Sequence, residues 1–246
     1  MKLAFKTDDG IGRRANLGVI VLAADETLEH EFKRMIPDDG VALYVSRITM
    51  APDIRPDTLA EMEAKIPGTA RLFPAVAFDA IGFGCTSAAT VIGPAHVAAA
   101  VTSACPGTQV SNPLTAIIAA AKALKTRRIG FVTPYVADVS AQMREALQAA
   151  GLEIASFGSF EEGDDRVVAR ITPDSIHSAI ENVAAKAPCD AIVVSCTNLR
   201  CLDVIAKAER QLGIPIISSN QALAWHLLRL AGIRSKRPEF GQLFTL

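Results

Sequence analysis

The chain has 246 residues, of which half are hydrophobic and about a fifth are charged, so a globular protein with one large domain or two smaller ones is expected. Its formal net charge of −1, without a basic stripe, argues against nucleic acid and anionic membrane surfaces as partners. No apolar window reaches the roughly 18 residues of a transmembrane helix.

The cysteines and the amino-terminal sequence bear on the cellular compartment. The five cysteines include no Cys-x-x-Cys pair, and the first residues lack an apolar segment of signal-peptide length. We therefore expect a cytoplasmic protein with free thiols and no metal site. A small molecule is the expected partner, and the oligomeric state is left open.

Apolar runs rich in Val and Ile alternate with amphipathic segments along the chain. Runs without polar alternation are typical of parallel strands covered on both faces. The predicted strands lie at 17–22, 41–48, 80–84, 129–133, 152–158, 191–195 and 214–218. The predicted helices lie at 58–66, 139–150, 173–187 and 202–212. This alternation predicts an α/β fold with parallel sheets flanked by helices.

Matched landmarks recur in the two halves of the chain at a nearly constant spacing. The pairs are Gly18 with Gly130, Cys85 with Cys196 and Asn112 with Asn220, at offsets of 112, 111 and 108 residues. The repeat predicts two α/β lobes related by a pseudo-twofold axis. The first lobe would comprise residues 1–115, completed by about 221–246, and the second lobe residues 116–220.

Each half places a Cys-Thr motif just after a predicted strand. Because functional residues in parallel sheets lie beyond the carboxyl ends of strands, Cys85 and Cys196 are expected on opposite sides of one cleft. A thiol at a strand-to-helix junction lies near helix N–H groups that can lower its pKa. The residues that follow would offer donors to a carboxylate; they are Thr86, Ser87, Thr197 and Asn198.

The segments "GFGCTSAA" and "VSCTNLR" resemble the paired motifs of the aspartate/glutamate racemase superfamily. Together with "LGVIVLAADETLEHEF", they are most similar to the branch of maleate cis-trans isomerase, arylmalonate decarboxylase and ectoine-utilisation isomerase-like proteins. The resemblance covers about residues 16–245. It implies a cofactor-independent isomerase or racemase of a small carboxylic acid, with Cys85 as nucleophile, Cys196 as acid/base and Tyr135 as a donor to substrate carboxylate.

Two acidic positions depart from the maleate isomerase pattern. Asp25 stands where that group has Asn after the first strand, and Asp165 with Arg166 stands near a second family Asn. All three are candidate substrate-binding residues, and their charges favour an amino-bearing substrate and the ectoine-utilisation group over maleate. Alternatively, Asp25 caps the following helix and faces away from the cleft.

Two other functions compete with an isomerase. The decarboxylases of this branch keep only the second-half cysteine and have Gly at the first position, so the presence of Cys85 argues against decarboxylation. A non-catalytic protein could also clamp a small acid between two α/β lobes, but a matched pair of thiols favours an enzyme.

Overall fold

The computed structural model describes residues 1–37, 39–50 and 56–246. The first of its two sheets contains β1 (Ala15–Leu22), β2 (Val41–Ile48), β3 (Ala80–Gly84) and β4 (Gln109–Ser111). The second contains β5 (Arg128–Thr133), β6 (Glu153–Ser159), β7 (Ala191–Val194) and β8 (Ile216–Ser218). The strand orders are β2-β1-β3-β4 and β6-β5-β7-β8, and every neighbouring pair is parallel. The predicted α/β fold with two similarly built parallel sheets is confirmed.

Helices connect the strands and cover the sheets. They are α1 (Leu28–Met35), α2 (Pro56–Ala60), α3 (Ile66–Ala70), α4 (Thr86–Ile92), α5 (Pro94–Thr102), α6 (Pro113–Ala123), α7 (Ala137–Ala149), α8 (Asp165–Val168), α9 (Pro173–Lys186), α10 (Leu202–Leu212) and α11 (Ser219–Leu230). Within the described residues, no helix is both long enough and apolar enough to cross a bilayer.

One predicted helix is interrupted, and one strand was not predicted. The segment 58–66 is divided among α2, a 3₁₀ turn at Glu63–Lys65 and the start of α3. Pro67 lies in the first turn of α3, where proline is tolerated, whereas it would clash inside a continuous helix. Strand β4 has three residues, too few for a periodic pattern.

The matched glycines lie in the central strands of the two sheets, where neighbouring side chains approach closely. A Cβ atom on Gly130 of β5 would lie 2.4 Å from Ile192 and 2.8 Å from Val183. A Cβ atom on Gly18 of β1 would lie 3.0 Å from Ile81. These repeated glycines therefore serve packing rather than chemistry.

After β8 the chain returns to the first sheet. A Cβ atom on Gly82 of β3 would lie 3.0 Å from Leu227 and 3.4 Å from Leu223, both on α11, so this helix covers the first sheet. The landmark Asn112 caps α6 by accepting a hydrogen bond from the Thr115 N–H at 3.0 Å. The proposed lobe boundaries near residues 115 and 220 stay a prediction.

Candidate active site

The two Cys-Thr motifs meet at the carboxyl ends of the sheets. The Thr197 hydroxyl, next in sequence to Cys196, donates to the carbonyl oxygen of Gly84 at 3.4 Å. Gly84 ends β3 and immediately precedes Cys85. This hydrogen bond joins the strand ends that carry the two thiols, although 113 residues separate its donor from its acceptor.

Cys85 is the buried N-cap residue of α4. Its sulfur accepts a hydrogen bond from the Ala88 N–H at 3.4 Å and lies 3.5 Å from the Ser87 hydroxyl. Burial nevertheless raises the pKa of the Cys85 thiol to about 11, while these two donors lower it. The expectation of a depressed thiol pKa is therefore not met, because removal from water outweighs the donors.

Cys196 has a different backbone setting from Cys85. A turn at residues 197–198 follows it, and α10 begins only at Leu202, so the predicted strand-to-helix junction is wrong for this thiol. The Asn198 N–H donates to the sulfur at 3.3 Å. Burial and then the charge of Asp165 raise the pKa of Cys196 well above its usual value.

Tyr135 is buried between the amino end of α7 and both thiols. The Ser140 hydroxyl donates to its carbonyl oxygen at 2.9 Å and fixes the loop after β5. Burial raises the pKa of Tyr135, and the charges of Cys196 and Cys85 raise it further. In return, the Tyr135 hydroxyl lowers the pKa of Cys196. The structure thus brings Tyr135 together with both cysteines.

Asp25 follows β1 and is 2% exposed. Its Oδ1 accepts hydrogen bonds from the N–H groups of Thr27 and Leu28, both at 2.8 Å. Asp25 therefore caps the start of α1, as the second of the two sequence-based alternatives predicted. Its buried Oδ2 has no hydrogen-bond partner. Burial raises the pKa of Asp25 to about 6, and the two backbone donors act against this rise. Asp25 also raises the pKa values of Cys85 and Cys196, so the carboxyl both caps α1 and acts electrostatically on the two thiols.

Asp165 opens α8 and is 5% exposed, whereas the next residue points to solvent. The Asp165 Oδ2 atom is buried without a hydrogen-bond partner, and burial raises the pKa of this carboxyl. The side chain of Arg166 is 78% exposed and pairs with Asp164 at 2.7 Å. The structure therefore brings Asp165 to the thiols and places the Arg166 guanidinium outside the site.

The candidate Asn198 uses its side chain to join elements rather than to face the thiols. Its Oδ1 accepts from the Glu26 N–H at 2.9 Å, and its Nδ2 donates to the Asp165 carbonyl at 3.0 Å. The Thr27 hydroxyl donates to the Asn198 carbonyl at 3.0 Å. The loop after β1 is thereby held against the loop after β7.

Thr86 makes a second connection of this kind. Its hydroxyl lies 2.9 Å from the Ser219 hydroxyl at the start of α11. Because this contact occupies the Thr86 hydroxyl, the backbone and Ser87 are the donors left beside Cys85. The expected donors are therefore all near the thiols, but those of Thr86, Thr197 and Asn198 are already engaged by the protein.

Glu31 and Asn220 form a buried network that sequence reasoning did not assign to the site. Glu31 accepts from the Leu202 N–H at 2.9 Å and from Asn220 Nδ2 at 2.8 Å. Burial raises the pKa of Glu31 to about 7. The signal in the sequence is an acidic residue on the apolar face of α1, which also carries Leu28, Phe32 and Met35.

Acidic groups dominate the region around the thiols. Asp25 and Asp165 both raise the pKa values of Cys85 and Cys196, and Asp165 raises that of Asp25. In the described part of the chain, no three His, Cys, Asp or Glu side chains are grouped to hold a metal ion. The arrangement of two thiols among acidic groups suits proton transfer or thiol addition.

Comparison with known proteins gives the family. The family model described as arylmalonate decarboxylase matches residues 17–244. Maleate isomerase from Nocardia farcinica is 27% identical over 238 residues, covering 92% of this chain and 94% of that protein. Arylmalonate decarboxylase from Bordetella bronchiseptica is 33% identical over 132 residues, covering 53% of this chain and 55% of that protein.

A solved structure has the same fold over nearly the whole chain. It is a Cys-to-Ser mutant of the maleate cis-trans isomerase from Nocardia farcinica with a covalently bound succinylcysteine intermediate. The TM-score is 0.85 at 25% identity, covering 94% of this chain and 98% of that chain. Together with the match of the family model, this places the chain in the arylmalonate decarboxylase family, within the branch of Asp/Glu racemase-like proteins that also contains maleate isomerases.

Proposed function

We propose that this chain is a cofactor-independent isomerase of a small carboxylic acid and that it works through the thiols of Cys85 and Cys196. The observation that carries the proposal is the hydrogen bond between Thr197 and Gly84, which brings the two cysteine-bearing strand ends together. Both thiols raise the pKa of Tyr135, as expected for groups around one substrate. The maleate isomerase relatives indicate an isomerase, and one of them carries a succinylcysteine intermediate.

For a cis-trans isomerisation, the Cys85 thiolate adds to one alkene carbon. The C–S bond forms as the π bond breaks, and Cys196 gives its proton to the adjacent carbon. The new C–C single bond then rotates. Cys196 takes the proton back, the C–S bond breaks, and the trans acid leaves with both thiols restored. The reaction is therefore redox-neutral and needs only the two sulfurs.

Racemisation uses the same two groups without a covalent intermediate. One thiolate removes a proton from the carbon next to a carboxylate, and the other thiol protonates the opposite face. The proton that one cysteine takes up is matched by the proton that the other cysteine gives up. We keep both routes, including the ectoine-utilisation type of substrate, because each requires two thiols beside one small acid.

The raised thiol pKa values place the activation step after binding. Burial keeps Cys85 and Cys196 protonated near neutral pH in the empty site. In the complex, the Cys85 proton passes to a carboxylate of the bound substrate as the sulfur adds to the alkene, and it returns to Cys85 when the C–S bond breaks. The hydrogen bonds from Ala88 and Asn198 to the sulfurs, at 3.4 and 3.3 Å, then stabilise the negative charge.

Decarboxylation is the second candidate, because the chain is 33% identical to an arylmalonate decarboxylase over about half its length. Protonation of one face of an enediolate needs a single thiol. Cys85 distinguishes the two candidates: its loss should abolish isomerisation but leave a one-thiol decarboxylation at Cys196 intact.

The test is turnover in D₂O followed by NMR, with maleate, free amino acids, ectoine-derived acids and an arylmalonate as substrates. We expect geometric isomerisation or inversion with deuterium at the reacting carbon, and its loss in Cys85→Ala and Cys196→Ala. Cys105→Ala serves as the matched control, because Cys105 lies at the opposite ends of the strands from Cys85. Release of CO₂ without isomerisation, retained in Cys85→Ala, would establish the decarboxylase instead.

A further inference from the structure

Two carboxyl oxygens beside the thiols are buried without a hydrogen-bond partner. They are Oδ2 of Asp25 and Oδ2 of Asp165, on side chains that are 2% and 5% exposed. They come from opposite halves of the chain, one after β1 and one at the start of α8. The Thr197 hydroxyl lowers the pKa of Asp25 and the Asn198 amide lowers that of Asp165, but these groups donate to backbone carbonyl oxygens, Thr197 to Gly84 and Asn198 to Asp165. Buried polar atoms in native proteins are nearly always paired, so the two oxygens that remain without a partner near one reactive centre indicate a missing ligand group.

Three arginine side chains on segments that neighbour these acids have other partners. Arg166 pairs with Asp164 at 2.7 Å, and Arg170 pairs with Glu26 at 2.6 Å. Arg47 pairs with Glu29 at 3.0 Å and donates to the backbone carbonyl of Asp25, not to its carboxyl. Among the described residues, no Lys or Arg donates to either orphaned oxygen.

The missing group is therefore best supplied by the substrate. We propose that Asp25 and Asp165 form a cation subsite beside Cys85 and Cys196, and that the substrate is a small carboxylic acid that also carries an ammonium or amidinium group. Such a group donates two or more hydrogen bonds and brings the positive charge that the site lacks. That such a substrate is isomerised rests on the proposed function. The preference for a substrate with a cationic group rests only on Asp25 and Asp165.

The charge of the substrate would also assist the chemistry. The two acids oppose ionisation of both thiols in the empty site. A cation between the carboxylates cancels that repulsion, which favours the Cys85 or Cys196 thiolate once the correct substrate is bound. A dicarboxylate without a cation would instead add negative charge next to Asp25 and Asp165, so the same site rejects it near neutral pH.

The test is calorimetric binding at about pH 7.5 with matched acids that differ by one ammonium group. The probes are aspartate against succinate and 4-aminobutyrate against butyrate. We expect the wild type to bind the ammonium-bearing member of at least one pair at least tenfold more tightly. Asp25→Asn and Asp165→Asn should each lower that preference about tenfold, because each removes one charge of the subsite.

Two substitutions of partly exposed acids control for general effects of charge. Asp164→Asn removes the acid adjacent to Asp165 and Glu29→Gln removes an acid on α1, and both acids form ion pairs at the surface. Both variants should keep the wild-type preference. Asn at position 25 retains an oxygen for the N–H groups of Thr27 and Leu28, and unchanged melting temperatures would confirm that both Asn variants fold.

The results distinguish a failure of the cation subsite from a failure of the proposed isomerase. The cation subsite is overturned if the wild type does not prefer the ammonium-bearing member of either pair, or binds none of the probes. It is also overturned if both Asn variants keep the wild-type preference. Isomerisation of maleate without such a preference would leave the isomerase standing alone. A preference that depends on Asp25 and Asp165, without isomerisation, inversion, decarboxylation or deuterium exchange of any substrate, would support the subsite in a binding protein.

Discussion

Asn220 and Glu31 are hydrogen bonded at 2.8 Å between Asn220 Nδ2 and Glu31 Oε2, although 189 residues separate them in sequence. The same amide nitrogen donates to the Thr197 carbonyl at 2.8 Å, and the other Glu31 oxygen accepts from the Leu202 N–H. These hydrogen bonds hold both ends of segment 197–202, which begins immediately after Cys196. We infer that Glu31 is a positioning residue for the second thiol.

Glu31→Gln should change how stability depends on pH. Burial raises the folded-state pKa of Glu31 from 4.5 to about 7, so the folded state holds this proton more tightly than the unfolded chain. The stabilisation is complete below about pH 4.5 and is lost as pH rises through about 7. Gln cannot titrate, so between pH 4.5 and 7 the wild type should lose on the order of 3 kcal/mol relative to Glu31→Gln.

Urea unfolding of both proteins at several pH values measures this difference. Glu29→Gln is the matched control, because Glu29 lies on the same helix but pairs at the surface with Lys33 and Arg47. A constant difference between wild type and Glu31→Gln across this range would contradict a raised pKa for Glu31. If Glu31 positions Cys196, Glu31→Gln should also lower kcat more than it changes KM.

The two motif cysteines should differ sharply from the other three in their effect on turnover. Cys85→Ala and Cys196→Ala should each lower kcat roughly a thousandfold or more, because each removes a reacting sulfur. Cys201→Ala is the most demanding control, since Cys201 is equally buried and lies close to Cys196. It should keep activity within about tenfold and lower the free energy of unfolding by about 1 kcal/mol. Equal losses in all three variants would indicate a structural effect.

Periodicity predicted seven of the eight described strands and three of the long helices, but it gave no bounds for α1, α4, α5, α6, α8 or α11. Helices α7, α9 and α10 have long amphipathic sequences, and the structure places them within two residues of the predicted bounds. The segment 58–66 failed because Pro67 restarts the helix, and β4 failed because three residues carry no period. The parallel pairing that gives both sheets one strand order follows from the repeat of landmarks.

The site was predictable only where sequence neighbours share its chemistry. Cys85 and Cys196 were identified because each follows a strand in a repeated motif. Glu31 was missed because its role depends on Leu202 and Asn220, which only tertiary packing brings near. Arg166 was misplaced because adjacent residues on a helix point in different directions, and its neighbour Asp165 takes the inward position.

Tyr135→Phe should weaken the second thiol without removing it. The Tyr135 hydroxyl lowers the pKa of Cys196, so its loss should raise that pKa, make Cys196 a weaker acid and shift the descending limb of the kcat profile to higher pH. We expect kcat near neutral pH to fall about tenfold or more. Tyr44→Phe is a suitable control, because Tyr44 packs edge-on against Phe78 in the first sheet. If the pH profile of kcat is not shifted in Tyr135→Phe, the Tyr135 hydroxyl does not act on the Cys196 thiol.

Asp25 should make the choice between substrates depend on pH. Burial raises the pKa of Asp25 to about 6, so the carboxyl is mostly ionised above that pH and mostly neutral below it. An ammonium-bearing acid needs the ionised form, and its binding should weaken as pH falls below about 6. Maleate is repelled by the ionised form, so its binding should strengthen over the same range, because a protonated carboxyl can donate a hydrogen bond to a substrate carboxylate.

Asp25→Asn fixes this position in a neutral form and should remove both pH effects. The variant should bind maleate at neutral pH as well as the wild type does below pH 6, at least tenfold more tightly than the wild type at neutral pH. Binding constants for maleate and aspartate from about pH 5 to 8 check the argument in both proteins. Brisk maleate turnover by the wild type at neutral pH, with no gain in Asp25→Asn, would show that the Asp25 carboxylate does not oppose a dicarboxylate and would restore maleate as the preferred substrate.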